Sequence, residues 1–143
     1  MYRILVPIGE NEQRAQTAAD IVTELPGPAA EKEVVLLNVF EGFEVSGEGR
    51  SISSEDLYDK SAFPSSVTAV EDHLEAAGMS VTKRREHGDP ADQILATATE
   101  IDVETIVMSG RKRSPTGKAL FGSVTQSVLL GADRPVTVTM REG

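Results

Sequence analysis

The sequence contains no cysteine and no long apolar run. Without cysteine there is no disulfide framework, zinc–thiolate site or thiol nucleophile. No apolar stretch approaches the roughly 20 residues that a membrane-spanning helix needs. The first residues, Met1-Tyr2-Arg3, lead directly into a predicted strand rather than into the apolar region of a signal peptide. These absences predict a cytoplasmic protein that does not interact with membranes.

Basic residues are also scarce: 14 lysines and arginines stand against 23 aspartates and glutamates, a net charge of -9. Because so acidic a protein repels phosphate backbones, we do not expect a nucleic-acid partner. Four of the basic residues nevertheless share one short segment: Arg111, Lys112, Arg113 and Lys118. This basic loop is where we expect an anion to be attracted.

The 143 residues suit one domain, which we predict to span residues 1–143. Short apolar runs alternate with segments of helical periodicity. The predicted strands are 3–8, 33–40, 79–86, 105–108 and 135–140, and the predicted helices are 12–25, 65–77, 91–100 and 123–130. Residues 41–63 are predicted to form a flexible insert loop, with a short helical turn around 54–60. This alternation predicts an α/β fold with a parallel sheet and right-handed crossovers.

Local signals sharpen several of these boundaries. Gly78 fits the C-terminal cap of the second helix. Asp89 can cap the third helix, and Pro90 suits its first position, where the missing N–H costs nothing. The strand at 33–40 is apolar on both faces, as expected at the centre of a parallel sheet. The strand at 79–86 exposes alternate residues and is expected nearer an edge.

The segment from Ser109 to Thr125 has the layout of an anion site. It leaves an apolar strand, passes through the basic loop and ends at Gly122-Ser123 before a predicted helix. The free N–H groups at a helix start, with hydroxyls and cations beside them, attract anions. A solvated surface loop, whose cations merely offset the acidic surroundings, is the alternative interpretation.

Five motifs occur in a characteristic order: Ile4-Leu5-Val6-Pro7, Leu36-Leu37-Asn38-Val39, Gly88-Asp89-Pro90-Ala91, Gly122-Ser123-Val124-Thr125 and Arg134-Pro135-Val136. Together they resemble the universal stress protein family over essentially the full chain. The resemblance implies a doubly wound, five-stranded parallel sheet in the order 3-2-1-4-5, with helices on both faces. It also implies a homodimer, and some members of the family bind ATP whereas others do not. Another flavodoxin-like or adenine-nucleotide α-hydrolase domain would keep the architecture and change only the ligand.

In such a sheet the ligand lies where the strand order reverses, between strands one and four. The candidate cofactor-binding residues at this point are Pro7, Gly9, Val39, Met108, Ser109, Gly110, Lys112, Gly122, Ser123, Val124 and Thr125. They are the residues that we expect to hold ATP or another phosphate-bearing ligand.

The sequence departs from the ATP-binding pattern of the family in two places. That pattern runs Gly, two residues, Gly, nine residues, then Gly-Ser or Gly-Thr. Counting back from Gly122 puts the first two glycines at Ser109 and Lys112, and Gly110 stands one place late. The aspartate that holds the adenosine part in ATP-binding members falls at Gly9. The end of the pattern is intact and its beginning is not.

Two functions therefore stay open. The first is a stress-response or signalling module in which nucleotide occupancy shifts the conformation of the loop or the dimer. The second is a dimeric interaction protein of the same fold that binds no nucleotide. In both, Val136 and Val138 alternate with Thr137 and Thr139 along a last strand suited to pairing with a second copy. No base–nucleophile pair or metal-ligand spacing is found, so we expect neither an enzyme nor a metal site.

Overall fold

The computed structural model describes residues 1–40, 63–110 and 122–140. Within these ranges the strands are β1 (Tyr2–Pro7), β2 (Lys32–Phe40), β3 (Ser80–His87), β4 (Thr105–Ser109) and β5 (Val136–Thr139). The helices are α1 (Glu12–Glu24), α2 (Ser65–Ala76), α3 (Pro90–Glu100) and α4 (Ser123–Gly131), and a short 3-10 helix, Ala29–Glu31, precedes β2. The predicted strands and helices are all present, with bounds that differ by one residue at most. Nearly all of the predicted insert loop, with its helical turn, lies outside the described residues.

The five strands form one parallel sheet in the order β3-β2-β1-β4-β5, which confirms the predicted doubly wound arrangement. β1 pairs with β2 along its full length, Tyr2–Pro7. Its pairing with β4 is much shorter and ends with Leu5 opposite Ile106. Both strands continue beyond this pair, so the ladder between β1 and β4 stops before the strands reach their carboxyl ends.

Each face of the sheet is covered by two helices. Ile4 and Val6 of β1 pack against α1 and α2, whereas Leu5 packs with α3 and α4 on the opposite face. The first two crossovers lie on one face and the last two on the other, as right-handed connections in this strand order require. Burial on both faces explains why the central strands are continuous apolar runs.

The predicted helix boundaries at Gly78 and Asp89 are confirmed. Gly78 has a φ of 97°, which glycine adopts without the steric cost of a Cβ, and its N–H donates to the Glu75 carbonyl at 3.0 Å. Asp89 Oδ2 accepts a hydrogen bond from the Asp92 N–H at 3.0 Å, and Pro90 is the first residue of α3. These local signals therefore determine where α2 ends and α3 begins.

β3 lies at an edge of the sheet, as its alternating exposure predicted. Its side chains include an ion-pair group: Arg84 Nε lies 2.7 Å from Glu86 Oε2 and Arg84 Nη2 lies 2.7 Å from Glu100 Oε1. The hydrogen bond from Arg84 lowers the pKa of Glu100, and the same bond raises the pKa of Arg84. This charged group joins β3 to Glu100, the last residue of α3.

Lys32 closes the C-terminal end of α1 from inside the core. The residue is only 2% exposed, and its Nζ donates to the carbonyls of Leu25 at 2.6 Å and Val22 at 3.3 Å. The last carbonyls of a helix lack intrahelical partners and carry the negative end of its dipole. A buried ammonium at this position therefore supplies both a donor and a favourable charge.

We expect Lys32→Met to lower the free energy of unfolding by about 1–3 kcal/mol, because methionine keeps the apolar stem and leaves buried carbonyls without their donor. Urea unfolding followed by circular dichroism measures the change. Lys83→Met is the matched control: Lys83 pairs with Glu71 at 3.2 Å with both side chains partly exposed, and such pairs contribute about 1 kcal/mol or less. Equal losses in the two variants would contradict the capping role of Lys32.

Candidate functional site

A cleft of about 250 Å³ opens at the carboxyl ends of β1 and β4. It lies where the strand order reverses, the position at which open α/β sheets place their ligands. The ladder between the two strands ends at Leu5 and Ile106, so their terminal residues are not joined to each other. Residues from both strands and from the starts of three helices therefore share the walls of the cleft.

The structure brings most of the predicted site residues together in this cleft. Those that line it are Pro7, Gly9, Val39, Met108, Ser109, Val124 and Thr125. Gly110, Gly122 and Ser123 lie beside these residues in the chain and do not contribute to the lining. Lys112, with the rest of the basic loop, lies outside the described residues.

Sequence reasoning missed half of the lining: Ile8, Asn11, Arg14, Ala15, Leu37, Pro90 and Ile94. Asn11 and Pro90 begin α1 and α3, and such helix-start signals near the strand ends could have identified them. Arg14 and Ala15 lie one turn into α1, where only the packing of that helix decides which side chains face the ligand site. No local pattern distinguishes them from their neighbours.

Buried side chains hold the turn that follows β1. Asn38 is 5% exposed, and its Nδ2 donates to the Ile8 carbonyl at 3.0 Å. Ser66 Oγ donates to the Gly9 carbonyl at 2.6 Å from the first turn of α2. These bonds tie the turn to β2 and to α2, so this wall of the cleft is preorganised.

Three helix N-termini border the cleft, and only two of them have a side-chain cap. Asn11 Oδ1 accepts from the Arg14 N–H at 2.9 Å at the start of α1, and Asp89 caps α3. Gly122 precedes α4 and offers no side-chain hydrogen bond. Within the described part of the chain, the first N–H groups of α4 therefore have no capping side chain, and the positive end of the helix dipole faces the cleft at Val124 and Thr125.

Two of the three glycines predicted at the site, Gly110 and Gly9, have opposite surroundings. A Cβ at Gly110 would lie 2.9 Å from Met140 Sδ and 3.2 Å from Val138 Cγ1, and the Gly110 N–H donates to the Thr139 carbonyl at 2.8 Å. Gly110 therefore permits close packing of the end of β4 on β5. A Cβ at Gly9 would meet no described atom within 4 Å, so this position has open space for a Cβ.

The acidic and imidazole groups form no metal site in the part of the chain that the structure describes: no three of them lie close enough together to hold an ion. His87 lies 5.1 Å from the Phe40 ring, and His73 Nε2 lies 3.8 Å from Asp20 Oδ1. Over the same residues, no helix is long and apolar enough to cross a membrane.

A sequence model of the universal stress protein family matches residues 1–139. The chain belongs to the universal stress protein family. A curated universal stress protein from Mycolicibacterium smegmatis is 35% identical over 91 residues, which cover 62% of this chain and 70% of that protein. The family match over residues 1–139 includes the motifs that the sequence carries from β1 to β5.

Solved structures show the same fold. The hypothetical protein MJ0577 superposes with a TM-score of 0.76 at 26% identity, covering 99% of this chain and 97% of that one. A universal stress protein from Archaeoglobus fulgidus gives a TM-score of 0.71 at 26% identity, covering 96% and 98%. These likenesses extend over the whole sheet and its helices.

Other universal stress proteins of this fold have been solved with nucleotides. One is a complex with cAMP, with a TM-score of 0.65 at 13% identity and coverage of 96% of this chain and 95% of that one. Another, from Archaeoglobus fulgidus, is a complex with dAMP, with a TM-score of 0.62 at 22% identity and coverage of 96% and 97%. At these identities the likeness concerns the fold.

We expect Gly110→Ala to destabilise the protein by about 1–3 kcal/mol, because the added methyl group overpacks the contact with Val138 and Met140. Gly9→Ala is the matched control and is expected to change the free energy of unfolding by no more than about 0.5 kcal/mol, since its methyl group has open space. Chemical denaturation of both variants measures the difference. A Gly110→Ala variant as stable as Gly9→Ala would contradict the packing role.

Proposed function

We propose that this universal stress protein is a cytoplasmic stress-response or signalling module that binds a nucleotide in the cleft between β1 and β4. The observation that carries the proposal is the cleft itself, which lies at the reversal of strand order and is bordered by the uncapped start of α4. The cAMP and dAMP complexes of relatives with the same fold support it.

The phosphate group would lie at the start of α4. The N–H groups of an uncapped helix start attract anions, and the helix dipole adds a favourable field. Thr125, a lining residue in the first turn of α4, adds a hydroxyl to this wall. A phosphate is the part of a nucleotide that can use all of these features at once.

The base and ribose would lie along the apolar wall of the cleft. Pro7, Val39 and Met108 contribute to this wall, and apolar side chains of this kind suit a purine ring. Gly9 offers no carboxylate for the ribose hydroxyls. We therefore propose an adenine nucleotide, with ATP as one candidate, that is held more through its phosphates than through its ribose.

We also propose that the bound nucleotide is not turned over. Among the lining residues that the structure describes, Arg14 is the only one with an ionisable side chain. An arginine remains protonated at physiological pH and does not act as a general base. The module would then act through nucleotide occupancy, and chromatography of the nucleotide after long incubation with the protein tests this directly.

Isothermal titration with AMP, ADP and ATP in the presence of Mg²⁺ tests the proposal, and Gly9→Asp sharpens it. A Cβ at Gly9 has open space among the described residues, and a carboxylate there would accept hydrogen bonds from the ribose. Since hydrogen bonds to charged groups contribute about 1.5–3 kcal/mol, we expect Gly9→Asp to tighten nucleotide binding roughly 10- to 100-fold.

The matched control is Gly9→Ala, which fills the same space without a charge and is expected to bind as the wild type does. No binding of any of the three nucleotides at millimolar concentration would refute the nucleotide function. Binding by the wild type without a gain in Gly9→Asp would refute the proposed position of the ribose.

A second candidate function, partner binding as a homodimer, is favoured by the edge of β5. The carbonyls of Pro135 and Thr139 accept hydrogen bonds from the β4 side at 3.1 and 2.8 Å. Alternate residues of a parallel strand direct their polar backbone groups to the same neighbour, so those of Val136 and Val138 point to the other edge. We propose that a second copy pairs there. This assembly is compatible with nucleotide binding.

We expect Val138→Pro to convert a dimer into a monomer. Proline lacks the backbone N–H that Val138 directs away from β4, and no backbone hydrogen bond between β5 and β4 is lost. Light scattering after size-exclusion chromatography measures the mass. Thr139→Ser is the control, since it keeps the backbone donors and should leave the oligomeric state unchanged. A wild-type protein that is monomeric at high concentration would refute the proposed pairing, and so would a dimer that Val138→Pro leaves intact.

A further inference from the structure

We propose that the nucleotide cleft continues past Gly9 into a second cavity, which receives a planar, uncharged group carried on a ribose hydroxyl of the nucleotide. This inference rests on the proposed nucleotide function and names a ligand class for it, adenine nucleotides enlarged at the ribose. Most of the residues that line the second cavity lie outside the sequence motifs and outside the cleft.

The second cavity, of about 680 Å³, opens at the carboxyl ends of β2 and β3. Small-molecule sites commonly have volumes of roughly 300–1,000 Å³. The described lining comes from the turn after β1, from β2 and β3, and from the start of α2: Gly9, Glu10, Asn38, Val39, Phe40, Pro64, Ser65 and Arg85. Gly9 and Val39 also line the cleft between β1 and β4. The two spaces therefore adjoin at these two residues.

The junction at Gly9 is open and its backbone is held in place. A Cβ at Gly9 would meet no described atom within 4 Å. The Gly9 carbonyl accepts from Ser66 Oγ at 2.6 Å, and the Ile8 N–H donates to the Leu37 carbonyl at 2.8 Å. An aspartate at this position, as in the ATP-binding pattern, would place its side chain at the junction, whereas glycine leaves the junction open.

The strand order determines where a group on the ribose would lie. From β4, the carboxyl edge of the sheet passes through β1 and β2 to β3. The cleft has the first turn of α4, with Val124 and Thr125, at one side and Gly9 and Val39 at the other. With the phosphate at the start of α4 and the ribose beside Gly9, a group on the 2′ or 3′ hydroxyl would extend over β2 toward β3.

A flat wall of two stacked side chains lies in that direction. Arg85 Cζ lies 4.4 Å from the centre of the Phe40 ring, and the two residues are next to each other because Arg85 pairs with Asn38, two places before Phe40. The attraction between a guanidinium and an aromatic face holds both groups in place. Aromatic rings pack against planar groups in offset or edge-to-face arrangements, so this wall suits a planar substituent.

The charges of the lining favour a neutral substituent. Glu10 is acidic and Arg85 is basic, and the other described lining residues are uncharged. Arg85 is engaged with the Phe40 ring and forms part of the wall. Pro64 and Val39 add apolar surface to the same cavity. The described lining therefore has no net charge that would select an ionised group.

The test compares AMP with 2′/3′-O-(N-methylanthraniloyl)-AMP, called mant-AMP, which carries a planar, uncharged ring on the ribose. We expect the wild type to bind mant-AMP roughly 2- to 10-fold more tightly than AMP, the gain typical of an added aromatic contact. The emission of the mant ring should rise on binding, because the ring leaves water. Titration calorimetry measures both affinities, and fluorescence reports the surroundings of the ring.

Phe40→Leu removes the flat ring and keeps an apolar side chain. We expect it to abolish the preference for mant-AMP and to leave AMP binding unchanged, since Phe40 is not part of the cleft lining. Phe63→Leu is the matched control: the Phe63 ring also carries a cation, Lys83 Nζ at 5.0 Å, and it lines neither space. Phe63→Leu should bind both ligands as the wild type does.

Gly9→Asp tests the junction. Its carboxylate would take up space at the junction and would lose one hydrogen bond to the esterified ribose, so we expect the ratio of mant-AMP to AMP affinity to fall roughly 10-fold or more. Gly9→Ala adds only a Cβ, for which space is open, and should keep the ratio of the wild type. Equal ratios in Gly9→Asp and Gly9→Ala would refute the passage beside Gly9.

The remaining outcomes separate this inference from the nucleotide function. If the wild type binds AMP but binds mant-AMP more weakly, or without a rise in emission, the second cavity is not a subsite and the nucleotide function stands. Equal effects of Phe40→Leu and Phe63→Leu would refute the wall at Phe40. An equal gain for adenosine 3′,5′-bisphosphate would refute the preference for an uncharged group. If neither AMP nor mant-AMP binds, the nucleotide function falls and the subsite falls with it.

Discussion

The rest of the structure depends on the parallel pairing of β1 with a neighbour on each side. β1 pairs with β2 along its full length and with β4 only as far as Leu5 and Ile106. Because the crossovers run to opposite sides of β1, their helices cover opposite faces of the sheet. Neither pair of helices covers the end of the short ladder between β1 and β4. The cleft exists because two ladders of unequal length meet on one strand.

The same geometry explains which parts of the site are rigid. The turn after β1 is held by Asn38 from β2 and by Ser66 from α2, whereas α1 is joined to β4 through Ser109. The wall formed by α4 is different, because no described side chain caps its first N–H groups. The cleft therefore combines preorganised walls with one helix start that no described side chain caps. The fold is shared with other universal stress proteins, so the fold alone does not define what the cleft binds.

Much of the fold could be predicted because its signals are local. Burial on both faces gives β1, β2 and β4 continuous apolar runs, and Asp89 and Gly78 mark helix ends through the conformations they allow. The site was harder to predict. Gly110 stands one place away from a glycine of the phosphate-binding pattern, and in the structure its missing Cβ makes room for Val138 and Met140. A glycine has the same appearance in sequence whether a ligand or another strand approaches it.

The sequence by itself determined the order of strands and helices, the reversal point at which a ligand would bind, and membership of a family, since these follow from periodicity and from motifs a few residues long. Only the tertiary structure decided the chemistry of the cleft. Arg14 enters the lining because α1 packs against β4 through Ser109, and Asn38 reaches the Ile8 carbonyl because β2 lies beside β1. Contacts between residues distant in the chain depend on how helices rotate and strands pair, and a local pattern carries no record of either.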